Sequence, residues 1–178
     1  MRLRDIVRLY LRPKGCFRTI FEIDVAELRR CGIKGVCFDL DNTLVLWNHR
    51  TVTPELQAWF DTLHSVGLAT CIISNNVADL KSAQLAEKLG AKLIAGAGKP
   101  RARGFLAAME AMGTAPGETA VVGDQLFTDV LGGNLLGMYT VLVEPLGRKE
   151  FVGTKFFRLL ERIALWLCAD LKHSTSKG

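Results

Sequence analysis

The chain has 178 residues, 49% of them hydrophobic, so it can form one domain with a full core but not two sizeable domains. Its formal net charge of +5 at pH 7 favours an anionic partner: nucleic acid, an acidic membrane surface or a phosphorylated substrate. No apolar stretch approaches the ~18 residues of a membrane-spanning helix, which argues against a transmembrane segment.

Residues 1–32 are predicted to be an amphipathic, partly helical lead-in. Within residues 2–11 the apolar side chains lie on one helical face and the arginines on another, and Pro13 ends the pattern. A brief helix is predicted over 24–30, with Gly32 as its C-cap. The first of these segments is typical either of a helix that packs on a core or of one that lies on a membrane surface.

Residues 33–147 are predicted to form the core, in which strands and helices alternate. The predicted strands are residues 34–40, 68–74, 91–96, 119–123 and 138–143. The predicted helices are residues 53–67, 77–89, 101–113 and 126–137. Strands separated by helices of this length pair in parallel, so we expect a three-layer α/β sandwich with a Rossmann-like sheet.

The C-terminal part continues with a predicted helix over residues 148–171 and a disordered tail over 172–178. The helix has an apolar stripe beside Lys155, Arg158 and Arg162. Packing of this stripe on the core and insertion at a membrane interface are both consistent with the pattern.

The cysteine pattern indicates a cytoplasmic protein with reduced thiols. The five cysteines are an odd number and include no C-x-x-C pair, and Cys37 and Cys71 lie inside apolar runs. We therefore expect a cytoplasmic protein that is either soluble or peripheral on the inner face of the membrane, with no metal held by cysteine.

Residues able to carry chemistry lie at the carboxyl ends of four of the predicted strands. In chain order they are Asp39, Asp41, Ser74, Lys99, Asp124 and Asp129. Each alone is typical of a turn, a helix cap or a solvated lysine. The carboxyl ends of parallel strands meet at one edge of a sheet, however, so all six are expected at a single site.

These residue types suit phosphoryl transfer. Asp39 can attack phosphorus and form an aspartyl-phosphate, and Asp41 can protonate the leaving oxygen and then activate water. Ser74 can donate to a phosphate oxygen, and Lys99 can neutralise both the phosphate and the nucleophile. Further phosphate contacts are predicted for the polar residues of the same strand ends, Asn42, Thr43 and Asn75.

Several carboxylates beside a phosphate require a cation, and oxygen ligands of this kind suit Mg²⁺. The predicted metal ligands are Asp39 and Asp124, joined by the backbone carbonyl of Asp41. Asp129 is predicted to contribute through water or by fixing its neighbours.

The motifs now carry a family resemblance. "DLDNT", "IISNN", "GKP" and "GDQLFTD" resemble the four motifs of the haloacid dehalogenase-like (HAD) phosphatases. "GIKGVCFDLDNTLVLW" and "VVGDQLFTDVLGGNLLGMYTVLV" are similar to the YqeG family of subfamily IIIA, and the resemblance covers about residues 11–162. It implies a Mg²⁺-dependent phosphatase with Asp39 as nucleophile and Asp41 as acid/base. Some relatives in this branch are phosphatidylglycerophosphate phosphatases.

The intervals between the motifs are too short for a cap domain. An uncapped site suits a phosphate that projects from something large, such as phosphatidylglycerophosphate at an anionic membrane surface. A soluble small-molecule phosphatase, a polynucleotide-end phosphatase and a non-catalytic binding module remain alternatives. Nucleic acid is disfavoured because no aromatic and basic residues interleave, and a binding module would be expected to have lost Asp39, Asp41 or Lys99. Trp47 and His49 are both predicted to contact substrate; the alternatives are that Trp47 packs against the protein and that His49 is solvated. The oligomeric state is left open.

Overall fold

The structure is a computed structural model, and it describes residues 9–47 and 49–147. Within these ranges, six strands form one sheet in which every pairing is parallel. The strands are β1 (Gly15–Phe17), β2 (Gly35–Asp39), β3 (Ala69–Ile73), β4 (Lys92–Ile94), β5 (Thr119–Gly123) and β6 (Tyr139–Val143). Their order across the sheet is β1-β6-β5-β2-β3-β4.

Helices connect the strands. They are α1 (Val25–Arg30), α2 (Pro54–Ser65), α3 (Leu80–Lys88), α4 (Ala102–Met112) and α5 (Leu131–Leu135). The predicted start of α2 is confirmed: Pro54 is its first residue, and the hydroxyl of Thr53 accepts from the backbone N–H of Leu56 at 3.2 Å. Gly113 ends α4 at φ 67°, a conformation that glycine adopts without steric cost.

The core lies on both faces of the sheet. Phe38 packs in a cluster with Phe60 and Leu85, whereas its strand neighbour Cys37 packs in a second cluster with Phe105. Successive residues of a strand point to opposite faces, so the fully buried β2 contributes to both clusters. The predicted three-layer α/β sandwich is confirmed.

The strand order positions a crevice between β2 and β5. From β2 the chain proceeds through β3 to β4 on one side, while β5 is followed by β6 on the other side. Connections that leave two adjacent strands in opposite directions open a crevice at their carboxyl ends, where open parallel sheets bind ligands. Asp39 ends β2 and Asp124 follows β5, so both lie at this crevice.

Three elements differ from the sequence prediction. Residues 15–17 of the lead-in form β1, an edge strand beside β6 that is too short to show a period. Helix α3 begins at Leu80 rather than at residue 77, because the Asp79 carboxylate caps it by accepting from the Ser82 N–H at 2.6 Å. In place of one helix over 126–137, the chain forms a π-helical turn, Leu126–Val130, followed by α5.

No cap domain interrupts the described chain. Residues between Asp39 and Ser74 form α2 and β3, and those between Ser74 and Lys99 form α3 and β4. Across residues 9–47 and 49–147, no helix is both long enough and apolar enough to cross a bilayer. The predicted amphipathic start over residues 2–8, the helix over 148–171 and the tail over 172–178 lie outside the described residues.

Candidate active site

A tight turn follows Asp39. Asn42 has a φ of 62°, which asparagine tolerates better than most residues, and its N–H donates to the Val45 carbonyl at 2.7 Å. Its own carbonyl accepts from the Leu146 N–H at 2.8 Å. Asn42 therefore shapes the loop that carries Asp41, and its predicted role in phosphate binding stays a prediction.

Lys99 lies between two carboxylates. Its Nζ is 2.5 Å from Asp39 Oδ1 and 2.6 Å from Asp129 Oδ1, and it also donates to the Ile73 carbonyl at 3.3 Å. Its side chain is 2% exposed. An ammonium has three donors, and these three contacts use all of them. The positive charge is thus fixed beside Asp39.

Asn75 holds the backbone of Lys99. Its Oδ1 accepts from the Lys99 N–H at 2.7 Å, and its Nδ2 donates to the Lys99 carbonyl at 3.2 Å. Through these contacts Asn75 positions the Lys99 backbone, and its predicted role in phosphate binding stays a prediction. Ser74 is buried, and its hydroxyl accepts from the Asn76 N–H at 3.1 Å. A hydroxyl that accepts in this way can still donate its proton.

Three buried carboxylates meet at the crevice. Asp39, Asp124 and Asp129 each offer an oxygen within 4.8 Å of the others. The Gln125 N–H donates to Asp129 Oδ2 at 3.3 Å, and Thr43, whose predicted role was phosphate binding, donates to Asp124 Oδ1 at 3.5 Å. A methyl group at Gly123 would collide with the Asp129 carboxylate, so glycine at the end of β5 is required for this approach.

Burial and like charge raise the pKa values of two carboxyl groups in the cluster, those of Asp39 and Asp124. Burial raises the pKa of Asp124 to about 8, and the carboxylates of Asp39 and Asp129 act in the same direction. Burial also raises the pKa of Asp39 to about 6, although the Lys99 ammonium opposes the shift. At Lys99 burial acts to lower the pKa, but the attraction of Asp129 and Asp39 outweighs it and the pKa is raised. One ammonium thus faces three carboxylates, a donor set that fits a further hard cation.

The Asp41 side chain has partners outside the group of three clustered carboxylates. Arg50 Nη1 is 2.8 Å from its Oδ1, and Asn76 Nδ2 donates to its Oδ2 at 2.8 Å. Sequence reasoning missed both partners. Asn76 belongs to the "SNN" motif and could have been found there, whereas a lone arginine in a loop gives no signal. Trp47 and His49 of the same loop are exposed.

The fold and the cluster define the class of protein. A sequence model of the haloacid dehalogenase-like hydrolases matches residues 45–137, a range that includes Ser74, Lys99 and Asp124 and begins just after Asp41. The chain belongs to the haloacid dehalogenase-like hydrolase family, and it is a phosphatase, a phosphoric monoester hydrolase.

Particular relatives narrow the branch. The chain is 36% identical to the Bacillus subtilis (strain 168) protein named "Probable phosphatase YqeG", over 88% of this chain and 91% of that protein. It is 31% identical to the Arabidopsis thaliana phosphatidylglycerophosphate phosphatase 1, over 93% of this chain but only 51% of that protein, so it spans about half of its length. A crystal structure of an uncharacterized Listeria monocytogenes protein shares the fold at a TM-score of 0.52 and 15% identity, covering 76% of this chain and 98% of that one.

Proposed function

We propose that the protein is a Mg²⁺-dependent phosphomonoester hydrolase that acts through an aspartyl-phosphate on Asp39. The observation that carries this proposal is that two carboxylates only two positions apart in sequence have different partners. Asp39 forms an ion pair with Lys99 within the acidic cluster, while Asp41 binds Arg50 and Asn76. Different surroundings allow two carboxylates to take different roles, here nucleophile and acid/base.

Each remaining side chain has a defined part in this proposal. Lys99 is a fixed positive charge that offsets the charge of the phosphate oxygens, and Ser74 donates to one of those oxygens. Asp41 protonates the leaving oxygen and then removes a proton from the attacking water. Asp39, Asp124 and Asp129, with the backbone carbonyl of Asp41, would hold Mg²⁺, which supplies further positive charge when bound.

The effect of Mg²⁺ on stability should depend on pH. The pKa values of Asp39 and Asp124 are raised to about 6 and about 8, above the ordinary value of ~4. The stability that these groups contribute without metal is complete below pH ~4 and is lost as the pH rises through 6 and 8. A cation that binds the ionised carboxylates reverses this loss.

We therefore expect Mg²⁺ to stabilise the protein more at pH 8.5 than at pH 5.5. A difference of about 1 kcal/mol corresponds to roughly 2–4 °C in melting temperature for a chain of this size. Differential scanning calorimetry with Mg²⁺ or with EDTA measures the shift. Asp124→Asn should reduce it, whereas Asp61→Asn, the same change at an exposed carboxylate of α2, should not. Equal shifts at the two pH values would contradict the metal site.

We further propose a large or membrane-presented substrate such as phosphatidylglycerophosphate. The absence of a cap within the described residues supports this, since the crevice stays open to a phosphate projecting from a surface. Segments that leave the catalytic edge carry exposed apolar side chains: Trp47 is 44% exposed, Val77 87% and Leu80 73%. Lys81 follows Leu80 directly, so this segment has apolar and basic side chains next to each other, as segments that bind anionic bilayers do. The plant relative named for this lipid phosphate also supports the proposal.

A phosphate-release screen tests the substrate. We expect the highest kcat/KM for phosphatidylglycerophosphate in mixed micelles, above sugar phosphates, nucleotides and phosphorylated oligonucleotides. Val77→Ser should weaken co-sedimentation with anionic vesicles, while Val66→Ser, at an exposed valine beyond the opposite edge of the sheet, should not. A higher kcat/KM for a sugar phosphate or an oligonucleotide end would replace the lipid with that substrate.

A further inference from the structure

A basic cavity lies beside the candidate active site. It has a volume of about 320 Å³ and is formed between the loop over residues 49–51 and helix α3. Four of the residues that line it are basic: His49, Arg50, Lys81 and Lys88. No acidic side chain lines it within the described part of the chain. The cavity thus offers an anion a pocket rather than a flat, solvated surface.

Arg50 belongs to both the cavity and the active site. Its Nη1 contacts Asp41 Oδ1 at 2.8 Å, and its Nε donates to the Ser82 hydroxyl of α3 at 3.1 Å. Its side chain is only 8% exposed. The guanidinium is therefore fixed between the proposed acid/base and the helix that forms the far wall of the cavity.

Helix α3 directs its basic residues to the same side. Lys81 and Lys88 are seven positions apart, and Leu85 lies between them at helical spacing; all three line the cavity. Asp79 caps the helix through its bond to the Ser82 N–H; it does not line the cavity, although its carboxylate is close enough to interact with Arg50 and Lys81. The two ammonium groups and the Arg50 guanidinium therefore converge on one space.

We propose that this cavity is a subsite for a second phosphate group, carried by the leaving group of the substrate. The inference rests on the proposed function, because an acid that protonates the leaving oxygen must touch it. Whatever is attached to that oxygen then extends from Asp41 on the side where Arg50 lies. Two ammonium groups beside the ion-paired Arg50 attract a phosphate diester or monoester far more strongly than a neutral alcohol.

The substrate class is a phosphomonoester whose alcohol bears another phosphate on a short polyol. The diester of a phospholipid headgroup and a soluble bisphosphate offer the same chemistry. Two soluble esters isolate the subsite: glycerol 3-phosphate has one phosphate, and glycerophosphoglycerol phosphate, the deacylated headgroup, has two. Phosphatidylglycerophosphate in mixed micelles forms the lipid arm.

The test compares two double variants of equal charge change. The cavity variant, Lys81→Gln/Lys88→Gln, removes two positive charges from the cavity. The control, Lys34→Gln/Lys92→Gln, removes two from the end of the sheet where the strands begin, since Lys34 precedes β2 and Lys92 begins β4. We expect the ratio of kcat/KM for the two-phosphate ester to that for the one-phosphate ester to fall about tenfold in the first variant. The control should retain the wild-type ratio.

A binding measurement makes the result independent of turnover. Titration calorimetry with glycerophosphoglycerol, the dephosphorylated product, should give a Kd about tenfold weaker in the cavity variant and unchanged in the control. Equal ratios and equal Kd values in both variants would overturn the subsite. Loss of phosphate release on every ester, with the Kd difference retained, would overturn the proposed function alone. Another outcome is that the cavity variant lowers the kcat/KM ratio of the two soluble esters while no variant, nor the wild type, cleaves the lipid. That result would assign the cavity to a soluble bisphosphate.

Discussion

Asp39→Asn should abolish turnover and leave the fold intact. The amide that replaces the carboxylate is a poor nucleophile and a weaker metal ligand, so we expect kcat to fall by at least about 10⁴-fold. The change also removes one negative charge from a buried cluster in which burial already raises the pKa values of Asp39 and Asp124. The metal-free variant should accordingly unfold at a urea concentration no lower than the wild type does.

Two further variants make this result specific. Asp61→Asn makes the same substitution on an exposed residue of α2 and should keep wild-type kcat. Asp41→Asn retains the nucleophile but lacks the base for the second step, so it should accumulate radiolabelled phosphate that hydroxylamine releases. Labelling or turnover by Asp39→Asn would rule out the covalent mechanism on this residue.

Lys99→Met should lower kcat by at least about 10³-fold, because it removes the fixed positive charge that the phosphate meets. Methionine keeps an unbranched side chain of similar length, so the change is mainly one of charge. Lys99 contacts both Asp39 and Asp129 with only 2% of its side chain exposed. Removing one partner of a buried ion pair typically costs about 3–5 kcal/mol, which we expect in the free energy of unfolding without metal at pH 8.

The pH dependence separates lost charge from lost packing. The pKa of Asp39 is already raised to about 6 with Lys99 present, and it should rise further without that ammonium. A carboxyl with a raised pKa destabilises the fold only when it is ionised, so the cost of Lys99→Met should shrink at pH 5. Urea unfolding at pH 5 and pH 8 measures this, with exposed Lys92→Met as the control. An equal loss at both pH values would show that the stability effect arises from packing.

The sequence alone was enough to place most of the candidate site. Asp39 and Asp124 lie at the ends of apolar runs that are typical of buried strands, and the alternation of strands and helices favours parallel pairing. Parallel strands bring their carboxyl ends to one edge whatever their order, and the structure brings Asp39, Lys99, Asp124 and Asp129 together there. The catalytic and binding roles of these residues stay predictions.

Side-chain partners could not be predicted in the same way. Asn75 reads as a phosphate ligand beside Ser74, but its amide binds the backbone of a residue 24 positions later. Arg50 belongs to no motif, yet it contacts Asp41 and, 32 positions away, Ser82. Such contacts depend on how loops from different strands pack, and no local pattern encodes that.

The sequence by itself therefore determined the α/β class, the strand ends and the residue types at the catalytic edge, because periodicity and capping are local properties of the chain. Only the tertiary structure decided the order of the strands, the addition of β1 at the edge and the division of Asp39 and Asp41 between two sets of partners. It also decided that the Asp129 carboxylate packs against Gly123, where a larger side chain would collide with it, and that Arg50 borders a basic cavity. These features arise from distances between segments far apart in sequence, which are set when the whole sheet packs.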